Sequence, residues 1–298
     1  MKILVSGLLN IETTVSVRGF PIEYYPIDYA FFGVNSNVSG VGCNLAKALT
    51  ALGDTVELVS YLGHDDEGDR VIKDLTAHGI NTGNIIRDLQ KTPASVVLFD
   101  PDGRRQIYCD LKDIQEQSIS PDRFIDTLKS VDIAALCNIN FNRELIKAAK
   151  KAGVKTATDV HVLSDINDDY NRDFMENADI LFLSDEKLPC KAEDFVRILH
   201  DRYNNSIIVI GMGAKGALLY EAENDSTKII EAYTPEKIVN TVGAGDALFS
   251  SFLHFYAKTH DAEQALRHAV IFAGIKIGYN GASTGFSSEE KIQSIIDM

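Results

Sequence analysis

Asn240-Thr241-Val242-Gly243-Ala244-Gly245-Asp246 runs straight into Ala247, Leu248, Phe249, Phe252 and Leu253, the apolar positions of a helix. Two glycines and an alanine leave the backbone N–H groups of this turn open to a ligand at the helix start, where the dipole favours negative charge. A carboxylate in the first helical turn can reach a hydroxyl and accept its proton, while the N–H groups stabilise charge on a transferring group. An isolated acid at a helix N-terminus is more often a complement to the dipole, worth ~0.3–1 kcal/mol. The full heptapeptide ahead of a wholly apolar helix favours a site.

Upstream, apolar runs of strand length alternate with helical patterns. Residues 3–6 and 56–61 read as strands. Between them Leu45, Ala48, Leu49 and Leu52 fall at i, i+3, i+4 and i+7 of a helix that Gly53 stops. Val71, Ile72 and Leu75 repeat the spacing ahead of Gly79. Strands at 133–136, 155–159, 180–183 and 207–210 then interleave with helices at 144–151 and near 194–202. Helices at 246–258 and 262–277 close the pattern, the second with Leu266, Ala269, Val270, Ala273 and Ile277 on one stripe. This alternation predicts an α/β fold with a mostly parallel central sheet flanked by helices on both faces.

Residues 13–37 and 94–110 break the rhythm and read as strands and hairpins, the second around the turn Asp100-Pro101-Asp102-Gly103. A small β-lid formed by about 12–37 and 94–110, on a single domain over 1–298, accounts for them. It also houses Phe20, Tyr24, Tyr25, Tyr29, Phe31 and Phe32, which could stack a nucleobase or pack against a second subunit. Lids of this kind exclude water from a reaction centre.

The 298 residues carry a net charge of −14 and no window rich in Lys or Arg, so no nucleic-acid partner is expected. No run reaches the ~18 apolar residues of a membrane span. Ile3, Leu4 and Val5 suit a buried first strand and are too few for a signal-peptide core. Cys43, Cys109, Cys137 and Cys190 lie far apart with no CxxC, as reduced cytoplasmic thiols do. The seven histidines show no metal-binding spacing; His161, His254 and His268 read as packing or surface residues. The acidic stretch 165–173 reads as a surface loop without chemistry.

Gly211-Met212-Gly213-Ala214-Lys215-Gly216 matches GxGxxG after a strand. A dinucleotide fold requires a helix next, and Ala217-Leu218-Leu219-Tyr220 is strand-like, which speaks against an NAD-dependent oxidoreductase. No GxxxxGK[ST] occurs, so no Walker loop handles phosphate here.

The heptapeptide resembles the C-terminal signature of the ribokinase-like (PfkB) carbohydrate and nucleoside kinase family, usually Asp-Thr-x-Gly-Ala-Gly-Asp. Val38-Ser39-Gly40-Val41-Gly42-Cys43-Asn44 is similar to that family's Gly-Gly-x-Gly-x-Asn hinge, and Gly63-His64-Asp65-Asp66-Glu67-Gly68 to its Gly-x-Asp-x-x-Gly. The resemblance runs from Ser6 to about Gly281. It implies ATP as donor, Mg²⁺ as cofactor, Asp246 as general base, and Gly243, Ala244 and Gly245 as an anion hole. It further implies Gly211, Gly213, Gly216 and Thr241 beside the nucleotide, and Asn10, Glu12, Gly40, Gly42 and Asn44 around the acceptor. Three segments depart from the family pattern. Ser39 replaces the first hinge glycine. Ser184-Asp185-Glu186-Lys187 stands for Asn-x-x-Glu, which leaves the metal-organising residues unassigned beyond Asp185 or Glu186. Asn240 replaces an Asp linked to a monovalent-cation site. Val41 stands where relatives acting on phosphorylated sugars often place Lys.

The expected function is ATP-dependent phosphorylation of an unphosphorylated sugar or a nucleoside by a cytoplasmic enzyme, with a homodimer through the β-lid as a possible assembly. Alternatives are a sugar-phosphate kinase with Arg104 and Arg105 as a clamp, a nucleotide- or sugar-binding sensor on a degenerate scaffold, and a structural oligomer.

Overall fold

In the computed structural model, which describes residues 1–297, Ile3, Leu4 and Val5 are buried on both faces of the first strand, the environment of a central parallel strand. The N-terminal elements are β1 (Lys2–Ser6), β2 (Asn10–Ser16), β3 (Val34–Ser39), α1 (Val41–Ala51), β4 (Thr55–Gly63), α2 (Asp66–Ala77), β5 (Ile85–Leu89), β6 (Ala94–Phe99) and β7 (Arg105–Asp110). The middle supplies α3 (Ile125–Lys129), β8 (Ile133–Leu136), α4 (Arg143–Lys151), β9 (Lys155–Val162), α5 (Arg172–Asn177), β10 (Ile180–Ser184) and α6 (Ala192–Tyr203). The last third holds β11 (Ile207–Gly211), β12 (Ala217–Glu221), β13 (Ser226–Ile230), α7 (Ala244–Thr259), α8 (Ala262–Lys276) and α9 (Glu289–Ile296).

A nine-stranded sheet runs β13-β12-β11-β10-β9-β8-β1-β4-β5. It is parallel except at its far edge, where β12 and β13 are antiparallel. β1 pairs with β4 on one side and β8 on the other, so the order of strands reverses beside it. Such a switch point leaves a crevice outside the C-terminal ends of the strands. Leu45, Leu49, Phe252, Leu266 and Phe272 belong to the core on one face; Leu128, Leu145, Phe174, Phe195 and Leu199 form the other.

Local chemistry sets the helix ends. Asp65 caps α2 by accepting from Gly68 N at 3.0 Å, and it also accepts from Thr92 N at 2.8 Å, tying the helix to the segment between β5 and β6. Asn204 in the left-handed conformation ends α6, and His260 does the same for α7. Within the acidic stretch 165–173, the end differs from a plain loop: Arg172 opens α5, against which Arg143 pairs through Asp173 at 3.0 Å.

A second sheet of four strands, ordered β3-β2-β6-β7, stands apart from the large one. Residues 17–33, expected as strands and hairpins, contain none; the aromatics there lie on irregular chain. Prolines at 21 and 26 and the glycines at 19 and 33 interrupt ladder formation in that segment. No helix among the described residues is long and apolar enough to cross a membrane.

Candidate active site

Gly243 is the N-cap of α7 with φ 80°, and no side chain caps the helix. A Cβ there would sit 2.6 Å from the Ala282 carbonyl oxygen, so conformation and space both demand glycine. The loop is held from within: Asn240 Oδ1 accepts from Val242 N at 2.6 Å, and Ala244 N donates to Thr241 O at 3.2 Å. A Cβ on Gly245 would meet nothing within 4 Å, so the space beside it is open. The N–H groups of Gly245 and Asp246 belong to the first helical turn, which has no intrahelical acceptors for them.

Asn44 Nδ2 donates to Asp246 Oδ2 at 2.6 Å, joining the start of α1 to the start of α7. Asp246 is half-buried. Burial pushes its carboxyl up to about 6, against the pull of the Asn44 hydrogen bond and the positive charge of His161. A carboxyl near 6 is ionised at neutral pH yet basic enough to take a hydroxyl proton.

The residues expected around an acceptor come largely from β2. Glu12 pairs in register with Asn37 of β3 and Ser95 of β6, and Asn10 pairs with Ser39. Alternation along β2 therefore puts Asn10, Glu12 and Thr14 on one face with a row of Asn and Ser. Asn10, Glu12 and Asn44 are all buried, and Asn10 Nδ2 donates to Ser95 Oγ at 3.0 Å. Yet among the described residues Asn10 Oδ1, Glu12 Oε1 and Asn44 Oδ1 have no hydrogen-bond partner. Burial, and next the Asp246 charge, raise the Glu12 carboxyl. Gly40 and Gly42 serve chain geometry: a Cβ on Gly40 would meet Leu8 O at 2.4 Å, and one on Gly42 would meet the Gly7 carbonyl at 2.8 Å. This close approach presses the start of α1 onto the end of β1 and aims Asn44 at the cleft.

On the far side, Gly211 pairs with Ser184 at the C-terminal ends of β11 and β10. Gly213, φ 57°, opens a 3₁₀ turn, and Gly216, φ 98°, has Ile230 O 1.9 Å from where a Cβ would lie. The chain then enters β12, so the GxGxxG segment lacks the helix of a dinucleotide fold. Ser184 Oγ accepts from Glu186 N at 3.3 Å and starts a 3₁₀ turn carrying Asp185 and Glu186. Among the described residues, no group of three His, Cys, Asp or Glu could hold a metal ion.

Four residues were not legible as site residues, or were assigned differently. His161, expected as packing or surface, has φ 61° and lies 3.5 Å from Asp159 at the C-terminal end of β9, in electrostatic reach of Asp246. Burial pulls its imidazole down, but the Asp159 carboxylate and the Asp246 charge prevail and push it up to about 9. Lys276 is fully buried and points its ammonium at the back of the 240–243 loop. By contrast, Arg104 is bound to its own turn, donating through Nε to the buried Asp100 Oδ2 at 2.8 Å and lying over Phe20. Arg105 faces the Glu12 side of the small sheet and lowers the Glu12 carboxyl from a distance. His254 and His268 are buried: Nδ1 of His254 lies 2.8 Å from Asp54 Oδ2, and that of His268 2.7 Å from Gln264 O.

Residues 2–289 match the pfkB family carbohydrate kinase model, and the chain therefore belongs to that family of phosphotransferases with an alcohol group as acceptor. Deoxyribokinase of Salmonella typhi is 25% identical over 314 residues, covering 100% of this chain and 99% of the relative. Among solved structures, a microbiome-derived acarbose kinase superposes with a TM-score of 0.90 at 23% identity, over 100% of this chain and 99% of that one. Arabidopsis thaliana ribokinase, complexed with ribose and ATP, gives 0.82 at 19% identity, over 99% and 98%. These likenesses establish the ribokinase-like α/β fold.

Proposed function

We propose that this chain transfers the γ-phosphate of ATP to a hydroxyl of an unphosphorylated sugar or a nucleoside, with Asp246 as general base. One observation carries the reading: among the described residues Asn10 Oδ1, Glu12 Oε1 and Asn44 Oδ1 are buried acceptors without donors, Asn44 bonded to Asp246, Glu12 within electrostatic reach of it, and Asn10 on the β2 face of Glu12. Buried acceptors left unpaired are costly, and a polyol supplies the missing donors. A phosphorylated acceptor would instead meet two carboxylates, Glu12 and Asp246, at close quarters.

In this reading the acceptor hydroxyl donates to Asp246 while the N–H groups of Gly245 and Asp246, with Gly243 and Ala244 shaping the turn, receive the transferring phosphoryl. The Asn44 hydrogen bond fixes which Asp246 oxygen is free, since Oδ2 is already occupied. As the hydroxyl oxygen attacks phosphorus, its proton passes to Asp246, and charge on the phosphoryl oxygens falls on the helix N-terminus. His161 adds a positive charge on the β9 side. The nucleotide lies along Gly211, Gly213, Gly216 and Thr241, at the C-terminal ends of the strands. Magnesium would ride on the phosphates with one or two protein carboxylates, which Asp185 and Glu186 offer, and would neutralise phosphate charge when bound.

The small sheet would act as a lid on the single domain, its polar face over the acceptor. Its outer side and the adjoining chain expose Phe31 at 82%, Phe32 at 101% and Tyr24 at 88%, with Val34, Val96 and Tyr108 alongside. A patch of this kind is suited to a second copy of the chain. The free cysteines and the net charge of −14 agree with a cytoplasmic setting without nucleic-acid or membrane partners.

The test is a comparison of kcat/KM for matched pairs, a free sugar and its monophosphate, with ATP consumption as the readout. The neutral member should be preferred by more than tenfold, and Glu12→Ala should erode that preference. A tenfold preference for the phosphorylated member would refute the reading.

A further inference from the structure

Lys276 ends α8 with its side chain fully buried. Its Nζ donates to Val242 O at 2.9 Å and to Gly281 O at 2.7 Å. Its hydrogen bonds are to backbone carbonyls; the carboxylates that influence it, Asp246 and Glu12, act through space. Taking an ammonium out of water is costly, and the usual recompense is a contacting carboxylate. None bonds it among the described residues, so its placement requires another reason.

The geometry around it supplies one. Two carbonyl oxygens from separate segments converge on a single point, the arrangement that coordinates a bare monovalent cation. One segment, 240–243, leads into the N-terminus of α7. The other, at Gly281, precedes Ala282, whose carbonyl oxygen packs against Gly243. The two are joined again where Val239 N and Asn240 N both donate to Ile277 O, at 2.8 and 3.1 Å. Removing the ammonium would leave the Val242 and Gly281 carbonyls facing each other without a positive partner. It would also withdraw a positive charge lying behind the turn that faces the cleft. Asn240, within the same loop, brings no charge of its own; it spends its side chain on Val242 N and on Asn280, 3.1 Å away.

We infer that the Lys276 ammonium is a tethered monovalent cation that holds the 242–245 turn in its phosphate-receiving form, so that the enzyme works without potassium or sodium. Lys276 is then a positioning residue: it touches neither ATP nor acceptor and acts through Val242 and Gly281. The inference rests on the reading of that turn as the phosphate site. Burial pulls the Lys276 ammonium down to about 8, with the Asp246 and Glu12 charges opposing, so it is charged at neutral pH.

The test compares the parent, Lys276→Ala and Lys276→Met in buffers of equal ionic strength whose monovalent cation is tetramethylammonium, potassium or ammonium. ATP binding by calorimetry, turnover and thermal midpoint are read for each. The parent should bind ATP and turn over within twofold in all three. Lys276→Ala, which leaves room for an ion, should lose at least tenfold in kcat and in ATP affinity in tetramethylammonium. It should regain most of that in ammonium or potassium, with the acceptor KM little changed. Lys276→Met fills the space with an apolar chain, so it should show the loss without the rescue. Stimulation of the parent by more than fivefold in potassium would overturn the inference. So would a folded Lys276→Met with parental kcat, or a loss in Lys276→Ala that no cation restores. If neither variant folds in any buffer, Lys276 belongs to the fold and not to the turn, which also overturns it. A parent that neither binds ATP nor consumes it in any cation would instead refute the reading of the turn as a phosphate site, and this inference with it.

Discussion

Replacing Asp246 by Asn separates chemistry from stability, because the two should move in opposite directions. Asn keeps the shape and can still accept the Asn44 Nδ2 hydrogen bond, observed at 2.6 Å. It cannot take a proton, so turnover should fall by ~10²–10⁴. Stability follows from the carboxyl, raised from 3.8 to about 6 chiefly by burial. The unfolded chain loses this proton at lower pH than the native state does. Native stability therefore declines as pH rises from about 4 through about 6, and above that the full penalty is present. Two units correspond to about 3 kcal/mol as an upper bound. Partial opening of the carboxylate to the cleft reduces this to roughly 1–2 kcal/mol. At pH 8 Asp246→Asn should thus melt about 2–4 °C above the parent, and near pH 4 the gap should shrink toward zero. The parent's own kcat/KM should climb with pH, with a midpoint near 6, and level off above about pH 7. Differential scanning calorimetry at the two pH values, with turnover measured on the same samples, checks all of this. Activity of Asp246→Asn within tenfold of the parent, or a melting point below it at pH 8, would refute the reasoning.

Gly213→Val places a β-branched residue at φ 57°, a backbone conformation such residues resist; the KM for ATP should rise at least tenfold while that for the acceptor moves little, and the reverse pattern in steady-state kinetics would mean that the two sites are interchanged. Arg104→Ala should lower the thermal midpoint and loosen the small sheet, because it strands the buried Asp100 carboxylate, but it should leave the ratio of kcat/KM for free and phosphorylated sugar unchanged. Arg105→Ala should instead shift that ratio further toward the neutral substrate, since the Arg105 charge on the small sheet bears on Glu12.

The alternation of strands and helices was legible from apolar spacing, as was a strand after Gly216, because a strand pattern follows that glycine where a dinucleotide fold requires a helix; its antiparallel pairing with β11 was not. The pairing of Asn44 with Asp246 was legible only through two separate motifs. Neither spacing nor composition says that residues 202 positions apart share a hydrogen bond. The segment 17–33 misled because aromatic density mimics strand propensity; without ladder partners those side chains lie exposed. His161 reads as a surface or packing residue and is exposed; its nearness to Asp159 and its electrostatic reach to Asp246 follow from the chain turn at the end of β9 and from no spacing in the sequence. Lys276 gave no signal at all. On an apolar helix a terminal lysine reads as a solvent-seeking complement to the dipole; its inward turn depends on carbonyls contributed by loops far apart in sequence.

The Asn44–Asp246 bond has a counterpart in Ser283, whose Oγ donates to Val38 O at 2.7 Å across 245 residues. Both tie the first fifty residues to the last sixty, and α1 and α7 share one face of the core. Loop-closure entropy for such pairings must be met before they form, which makes a largely parallel topology slow to assemble. On a ribosome, Asn10, Glu12 and Asn44 emerge long before Asp246 does. Nascent chains would present an open half-cleft with orphaned polar groups until α7 and α8 dock. Recovery of activity after denaturation should therefore trail recovery of helical circular dichroism, because the Asn44–Asp246 pair is among the last contacts the chain can make.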